Sequence, residues 1–409
     1  MQTPGTSWPS PAKWLAPDDP VMRVGLLSPI TPERIGGGYT FEQEIFGRIL
    51  ELAPASKHEF VIFEGFRGAK AGTRSPGFKY VPLQRPRFDF LVPRKRRFPW
   101  EFKWIDNVLN REGIEFFLNT TFETVTLTIP FLAIVWDLQH RLQPFFPEVS
   151  ADGEWEKRET FYLQVLERAA FVIVGTEAGK NEVQRFYGTP DEKIRILPHP
   201  TPSFALEETA RDVETLAKYK LPPDYIFYPA QFWTHKNHAA IVKAVAHLKR
   251  TDNSRLPVVF TGSDQGNERQ VHELVEQMQI GDQIFFLGHV SRQALRALYQ
   301  NALCLCYVSF FGPENLPPLE AFGLGCPVIA ADVPGAREQL GDAAIRVDPA
   351  NELEIAEALK LLFKDKLKRE ELIRQGKERA RRFTGRDFAK GLFDLLDEFE
   401  PVQRCWAAR

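Results

Sequence analysis

The chain has 409 residues, more than a single hydrophobic core usually holds, and 44% of them are apolar, so two globular domains are expected. The net charge of only −2 gives no overall signal for a protein that binds nucleic acid or another polyanion. We find no signal-peptide pattern and no stretch near the roughly 20 apolar residues that cross a bilayer, so any membrane contact is expected to be peripheral.

Short apolar strands alternate with helical patterns in the first half of the chain. After residues 1–20, which we predict to be a flexible arm, a strand at 21–28 leads to the glycine run 36–38 and a helix over 39–52. Further strands are predicted at 59–63, 115–118, 131–136 and 171–174, with helices at 101–110, 154–168 and 178–186. Strands that alternate with helices predict a parallel sheet.

A second segment with the same alternation follows the proline-rich stretch 197–203. Its predicted strands are 225–228, 257–261, 283–286, 302–308, 327–330 and 343–347, and its predicted helices are 239–250, 268–279, 292–301 and 352–363. We therefore predict one α/β domain over 21–200 and another over 204–383. A ligand site is expected in the cleft between them, because parallel sheets bind ligands at the carboxyl ends of their strands.

The four cysteines do not have the spacing of metal ligands. Cys304 and Cys306 alternate inside an apolar strand, which is typical of small buried side chains. We predict a cytoplasmic protein without a metal site.

Arg and Lys alternate with Phe and Trp in residues 84–104, QRPRFDFLVPRKRRFPWEFKW. This mixture is typical of peripheral contact with an anionic lipid surface through residues 85–104, at the inner face of the membrane. The same sequence pattern is also expected of a basic loop whose aromatic rings pack into the first domain. The lipid contact and the packed loop therefore both stay open.

The segment 312–339, GPENLPPLEAFGLGCPVIAADVPGAREQ, carries the strongest functional signal. Pro317 and Pro318 predict a helix that begins near Pro318, whose first turn offers N–H groups suited to a phosphate. Glu320 offers an acceptor for sugar or ribose hydroxyls. A nucleotide-sugar site is indicated, and the alternative is an ordinary loop before a helix in which Glu320 only complements the helix dipole.

Lys236 lies after the predicted strand 225–228, at the start of a helix. Breaking the bond between a sugar and a nucleotide diphosphate leaves negative charge on the diphosphate, which an ammonium group stabilises. We predict a catalytic Lys236; a solvated lysine near a helix start is the alternative.

The segment 312–339 resembles the signature of retaining GT-B glycosyltransferases of family 4 (glycosyltransferase group 1), roughly E-G-F-G-L-P-x-x-E followed by G-x-P-V-I-A. Residues 193–200, 228–238 and 287–302 continue the likeness in the family's order. The segments DLQH, 137–140, and GPENLPPLEAF, 312–322, resemble those of bacterial mannosyl and rhamnosyl transferases. The resemblance implies an α/β GT-B fold, in which two Rossmann-like domains face a central cleft and a final helix, 384–402, crosses back onto the first domain.

The resemblance also implies roles for individual residues. Glu320 matches the second glutamate of the signature and, with Lys236 and His140, completes the predicted catalytic set. The first glutamate corresponds to Gly312, with Glu314 displaced by two positions, and an arginine of the family corresponds to Gln231. The predicted donor-binding residues are Gly37, Gly38, Gln231, Gly312, Glu314, Asn315 and Leu316.

His140 ends the segment D-x-x-H after the predicted strand 131–136, where the resemblance implies contact with the donor sugar. Asp137 is expected to orient His140 or the acceptor. A structural histidine is the alternative.

We therefore expect a retaining, metal-independent hexosyltransferase with a nucleotide diphosphate sugar as donor and no other cofactor. GDP-mannose is the expected donor, with UDP- and dTDP-sugars open, and a glycan or lipid-linked hydroxyl is the expected acceptor. A non-catalytic nucleotide-sugar-binding protein remains an alternative because of Gly312 and Gln231. A peripheral membrane or polyanion-binding protein is the other, although no nucleic-acid partner is expected.

Overall fold

Two parallel β-sheets covered by helices organise the chain. The computed structural model describes residues 22–32, 36–66, 74–83, 100–121, 126 and 128–405. The arm predicted at 1–20 and most of the basic-aromatic patch 85–104 lie outside these residues. The lipid interpretation of that patch therefore stays a prediction.

Every strand pairing in the described residues is parallel. The first sheet has the order β3-β2-β1-β4-β5-β6-β7 and the second has the order β10-β9-β8-β11-β12-β13. The strands are β1 (Arg23–Leu27), β2 (Glu59–Glu64), β3 (Lys79–Pro82), β4 (Phe116–Leu118), β5 (Phe131–Ile134), β6 (Phe171–Val174), β7 (Ile194–Ile196), β8 (Ile226–Pro229), β9 (Val258–Thr261), β10 (Ile284–Phe286), β11 (Cys304–Tyr307), β12 (Val328–Ala331) and β13 (Ala344–Val347).

Helices connect the strands and cover the sheets. They are α1 (Gly37–Leu52), α2 (Trp100–Arg111), α3 (Gln139–Leu142), α4 (Pro147–Ser150), α5 (Glu154–Arg168), α6 (Glu177–Tyr187), α7 (Ser203–Leu206), α8 (Val213–Ala217), α9 (His238–Asp252), α10 (Glu268–Gln277), α11 (Arg292–Asn301), α12 (Leu316–Leu324), α13 (Ala336–Leu340), α14 (Glu352–Lys364), α15 (Lys366–Ala380) and α16 (Gly385–Gln403). Of the helices that the structure describes, none combines the length and apolar character of a membrane span.

The first sheet is buried on both faces. Val24 and Leu26 of β1 pack with Phe60 in one apolar cluster, whereas Leu27 packs with Val61 in the other. Strands with two buried faces appear in a sequence as continuous apolar runs bounded by polar turns, and such runs are what the sequence shows.

The last helix, α16, returns to the first domain and packs against α1. The rings of Phe388 and Phe41 lie 5.4 Å apart between centroids. Thr201 and Thr384 form an isolated parallel bridge, so the two chain segments that pass between the domains lie side by side. The crossing helix expected from the resemblance is thus present.

The strand order reverses in the middle of each sheet, between β1 and β4 and between β8 and β11. In open parallel sheets, a crevice forms at the carboxyl ends of the two strands where the order reverses. Loops from these ends of the two sheets are in contact. Gln143 Nε2 donates to Phe310 O over 3.1 Å, and Glu177 N donates to Glu338 Oε2 over 2.7 Å. Two Rossmann-like domains therefore face a central cleft, and the predicted GT-B fold is confirmed.

Candidate active site

Lys236 lies in the loop after β8, at the reversal point of the second sheet. It ends a 3₁₀ turn, Thr234–Lys236, and Asn237 with φ 59° then directs the chain into α9. Lys236 Nζ donates to the Tyr307 hydroxyl over 2.9 Å, and the Tyr228 hydroxyl donates to the Lys236 carbonyl. The side chain is half-buried, so the ammonium group is fixed beside β11 while still reached by solvent.

Tyr307 also lines a small crevice at the carboxyl ends of β11 and β12, beside the N-termini of α12 and α13. Its other walls are Ser309, Gly312, Asn315, Pro318, Ala330, Ala331, Val333, Ala336, Gln339 and Leu340. Pro317 and Pro318 have no N–H group, so Leu316 is the N–H donor of the first turn of α12, beside the partial positive charge of the helix start. Together with the Lys236 ammonium on Tyr307, this charge makes the edge of the sheet suitable for a diphosphate.

The helix α12 begins at Leu316, two residues before its predicted start near Pro318. Asn315 precedes it in an extended conformation. First-turn positions need no N–H donor, so both prolines are accepted inside the helix.

Gly312 and Asn315 determine the shape of the loop before α12. Gly312 has φ +122°, and a Cβ atom there would lie 2.6 Å from the Asn315 side chain. Asn315 Nδ2 donates to Gly312 O over 3.0 Å, while the Gln339 amide pairs with both the backbone N–H and the carbonyl of Asn315. The family that the sequence resembles has a glutamate at the position of Gly312. A glutamate does not fit here, because of the positive φ and the close Asn315 side chain.

Glu320 lies one helical turn after Leu316, on the same face of α12. The Tyr299 hydroxyl donates to Glu320 Oε2 over 2.7 Å. Burial raises the pKa of Glu320 to about 7, and the Tyr299 bond opposes part of that rise. Leu316 Cδ1 lies 4.0 Å from the place of a Cβ atom on Gly37, so the start of α12 lies close to the first domain.

The predicted glycines Gly37 and Gly38 form the first turn of α1. Gly36 precedes them as the N-cap with φ 72° and offers no side-chain cap. The contact with Leu316 sets this turn of α1 opposite α12. Gly37 and Leu316 therefore meet at the interface between the domains, whereas the carboxylate of Glu320 is buried against Tyr299 of the second domain.

Gln231 is engaged by its own neighbours in the second domain. Its Oε1 accepts from Trp233 Nε1 over 3.0 Å, and its Nε2 donates to Ser263 Oγ over 3.1 Å. The amide has no positive charge, so it does not replace the arginine of the family.

Glu314 lies at the interface between the domains instead of in the crevice. Its Oε1 accepts from His199 N over 2.7 Å, and a Cβ atom on Gly175 would lie only 1.2 Å from its Oε2. Burial raises the pKa of Glu314 to about 8. Glu314 thus fastens the loop before α12 to the first domain, and its role in donor binding stays a prediction.

His140 has no exposed surface. Its Nε2 lies 3.0 Å from the Tyr187 hydroxyl and 3.3 Å from Glu159 Oε2, and its ring stacks on Tyr162 with 5.5 Å between centroids. Burial lowers the pKa of His140. The structure thus places the ring inside the first domain and not at the cleft surface, and its role as a sugar contact stays a prediction.

Asp137 precedes His140 and is partly exposed. Its Oδ1 accepts from Gln139 N over 3.0 Å and from Arg158 Nη1 over 3.1 Å. These bonds hold the turn that leads into α3. Neither of them reaches His140, so the expected orienting of that ring by Asp137 is not seen.

Three residues of this site were not singled out from the sequence: Tyr307, Gln339 and Glu148. Tyr307 was visible only as an apolar position of a predicted strand, and Gln339 as the end of the segment 312–339. Glu148 belongs to the first domain but contacts His235 in the second. A contact between residues so far apart along the chain leaves no local pattern.

Within the ranges that the structure describes, no group of three or more His, Cys, Asp and Glu side chains is arranged to hold a metal ion. Cys304, Cys306 and Cys326 are buried and unpaired, and burial raises the pKa of each thiol. They belong to the core of the second domain.

Comparison with known proteins identifies the domain that carries these groups. The family of glycosyl transferases group 1 matches residues 214–379, which include Lys236, the crevice and Glu320. Residues 214–379 are a glycosyltransferase group 1 domain.

Similar proteins extend the likeness of this glycosyltransferase domain to much of the chain. O-antigen chain mannosyltransferase B of Escherichia coli is 26% identical over 221 residues, which cover 54% of the chain and 58% of that enzyme. Sucrose-phosphate synthase from Thermosynechococcus elongatus shares the fold with a TM-score of 0.72 and 18% identity, over 93% of the chain and all of the other protein. Anabaena Alr3699/HepE in complex with UDP shares it with a TM-score of 0.66 and 13% identity, over 92% of the chain and all of the other protein.

Proposed function

We propose that the protein transfers a hexose from a nucleotide diphosphate sugar to a hydroxyl group of a glycan or lipid-linked acceptor. The observation that carries this proposal is the ammonium of Lys236, fixed on Tyr307 beside the crevice and the N-terminus of α12. The bond between the anomeric carbon and the phosphate oxygen breaks, and its electron pair stays on the diphosphate. Lys236 and the helix N-terminus stabilise that charge.

The acceptor oxygen then bonds to the anomeric carbon on the face from which the diphosphate leaves. Its proton passes to an oxygen of the departing diphosphate. Because the acceptor bonds on the face that the diphosphate leaves, the anomeric configuration is retained, and in this proposal Lys236 takes the charge-stabilising role that a metal ion has in other enzymes. Glu320 accepts hydrogen bonds from hydroxyl groups of the donor. The N–H groups of Gly37 and Gly38, at the start of α1, face the donor from the first domain.

GDP-mannose is the proposed donor, because the similar Escherichia coli enzyme is named an O-antigen chain mannosyltransferase. UDP-sugars are the competing choice, since the HepE structure contains UDP. A screen of nucleotide sugars by thermal shift separates these donors. A ligand at 100 times its dissociation constant adds about 2.7 kcal/mol to stability, which gives a measurable rise in melting temperature.

Glu320→Gln tests the donor contact in the same screen. The variant keeps an oxygen that accepts from the Tyr299 hydroxyl, so its melting temperature without ligand should stay near that of the wild type. We expect a smaller rise with GDP-mannose, since an amide oxygen is a weaker acceptor than a carboxylate oxygen. The proposal is contradicted if no nucleotide sugar shifts the wild-type protein, and the role of Glu320 is contradicted if both proteins shift equally.

A protein that binds a nucleotide sugar without catalysis is the second candidate. The backbone at Gly312 does not accept a glutamate, and Gln231 lacks the charge of the family's arginine. Binding of a donor without transfer or slow hydrolysis would establish this candidate.

A further inference from the structure

We propose that Glu148 of the first domain positions the catalytic ammonium of Lys236 in the second; this inference rests on the proposed function. Glu148 lies in α4, and its Oε1 accepts from the backbone N–H of His235 over 3.0 Å and also from His235 Nδ1. His235 immediately precedes Lys236. A carboxylate of one domain thus holds the turn that carries the ammonium in the other.

His235 is held from its other side by the loop after β11. Its carbonyl accepts from Phe310 N over 2.9 Å and from Ser309 Oγ over 3.3 Å, and Ser309 lines the crevice. The residue therefore connects α4 to the wall of the crevice. Movement of α4 relative to the second domain would shift the position of Lys236.

The contact is buried and charged. The side chains of Glu148 and His235 are 7% and 11% exposed. Burial opposes ionisation of Glu148, but the bonds from His235 outweigh it and lower the pKa of Glu148. Loss of the carboxylate would leave two buried donors of His235 unpaired, so the 3₁₀ turn would have to rearrange.

Packing around the contact extends the interface. The ring of Phe146, two residues before Glu148, lies 6.3 Å from the His235 ring and 6.0 Å from the Phe310 ring. The Phe310 carbonyl in turn accepts from Gln143 of the first domain. The segment that carries α3 and α4 therefore contacts both His235, next to Lys236, and the loop after β11.

A displacement of about 1 Å at a group that stabilises transition-state charge can lower a rate by up to about 100-fold. Glu148 would thereby make charge stabilisation at the donor depend on closure of the first domain. It would act through Lys236 without touching the donor.

A double-mutant cycle tests this role. The rate of sugar release from the donor and the affinity for GDP and UDP are measured for wild type, Glu148→Ala, Lys236→Ala and the double variant. We expect Glu148→Ala to lower the rate by about 10- to 100-fold. The double variant should be no slower than Lys236→Ala, because the two residues then act through one group. Glu148→Gln, which keeps an acceptor oxygen for His235, should recover part of the loss.

Glu338→Ala is the matched control. Glu338 also joins the domains through its carboxylate, which accepts from the N–H groups of Glu177 and Ala178, but it does not contact the turn of Lys236. The effect of Glu338→Ala on the rate of sugar release should add, as a free energy, to the effect of Lys236→Ala. If Glu148→Ala lowers the melting temperature too far for assay, the cycle is run with Glu148→Gln.

Additive effects of Glu148 and Lys236 would overturn the inference and leave the proposed function standing. A Lys236→Ala variant that matches the wild type, or a wild type that binds neither nucleotide, would instead remove the proposed function. The two failures are therefore distinguishable.

Discussion

Glu314 is a buried carboxyl group that joins the loop before α12 to the first domain. Its partner is the backbone N–H of His199, at the start of the segment that leads into the second domain. Burial, together with the neighbouring charge of Glu338, raises the pKa of Glu314 from 4.5 to about 8. The folded protein therefore binds a proton here that the unfolded chain releases.

This shift predicts a pH dependence of stability. Between pH 4.5 and 8 the folded state holds the proton and the unfolded state does not, so the free energy of unfolding falls as pH rises, by at most about 1.4 kcal/mol per pH unit. Glu314→Gln removes this contribution. We expect the melting temperature of the variant, relative to the wild type, to increase steadily from pH 5 to pH 8. Parallel melting curves over that range would show that Glu314 does not titrate in this way.

At the residue scale, the sequence predicted what a local pattern determines. Lys236 was placed by a strand followed by a helix start, and Glu320 by two prolines before an apolar helix. The burial of His140 and Glu314 depends on Tyr187, Glu159 and His199. None of these three lies in the segment D-x-x-H that singled out His140 or in the segment 312–339 that contains Glu314. The sequence therefore did not show that the two side chains are buried.

At the element scale, long apolar strands and helices with clear periodicity were predicted within two residues of their observed bounds. The predicted helix 154–168 coincides with α5, and the predicted strand 171–174 with β6. The edge strands β3 and β7 and the helix α15 were missed. Edge strands are only partly buried, and α15 has few buried side chains among many charged ones, so neither gives a strong apolar period.

The start of α16 provides a prediction about one element. Thr384 and Asp387 form a capping box, in which each side chain bonds the backbone N–H of the other. Thr384→Ala should lower the free energy of unfolding by about 1 kcal/mol, and Thr384→Ser should restore most of it. Chemical denaturation of the three proteins measures the difference. Equal midpoints for alanine and wild type would show that the packing of α16 on α1 alone sets its stability.

At the scale of the whole molecule, the alternation of strands and helices predicted two parallel sheets, and the resemblance predicted that they face each other. The pairs that join the domains, such as Glu148 with His235, were not predictable. They arise from the relative placement of two units whose surface loops carry no shared periodicity. The arrangement of the candidate site therefore depends on contacts that only the folded molecule reveals.

The central claim is that the Lys236 ammonium stabilises the departing diphosphate. The most direct test compares the rate of sugar release from the preferred donor, to acceptor or to water, between wild type and Lys236→Ala. Both rates are measured equally far below the melting temperature of each protein. Loss of a group that stabilises transition-state charge predicts a rate lower by about 100-fold or more. A rate for Lys236→Ala within about twofold of the wild type, less than 0.5 kcal/mol in barrier height, would contradict the account.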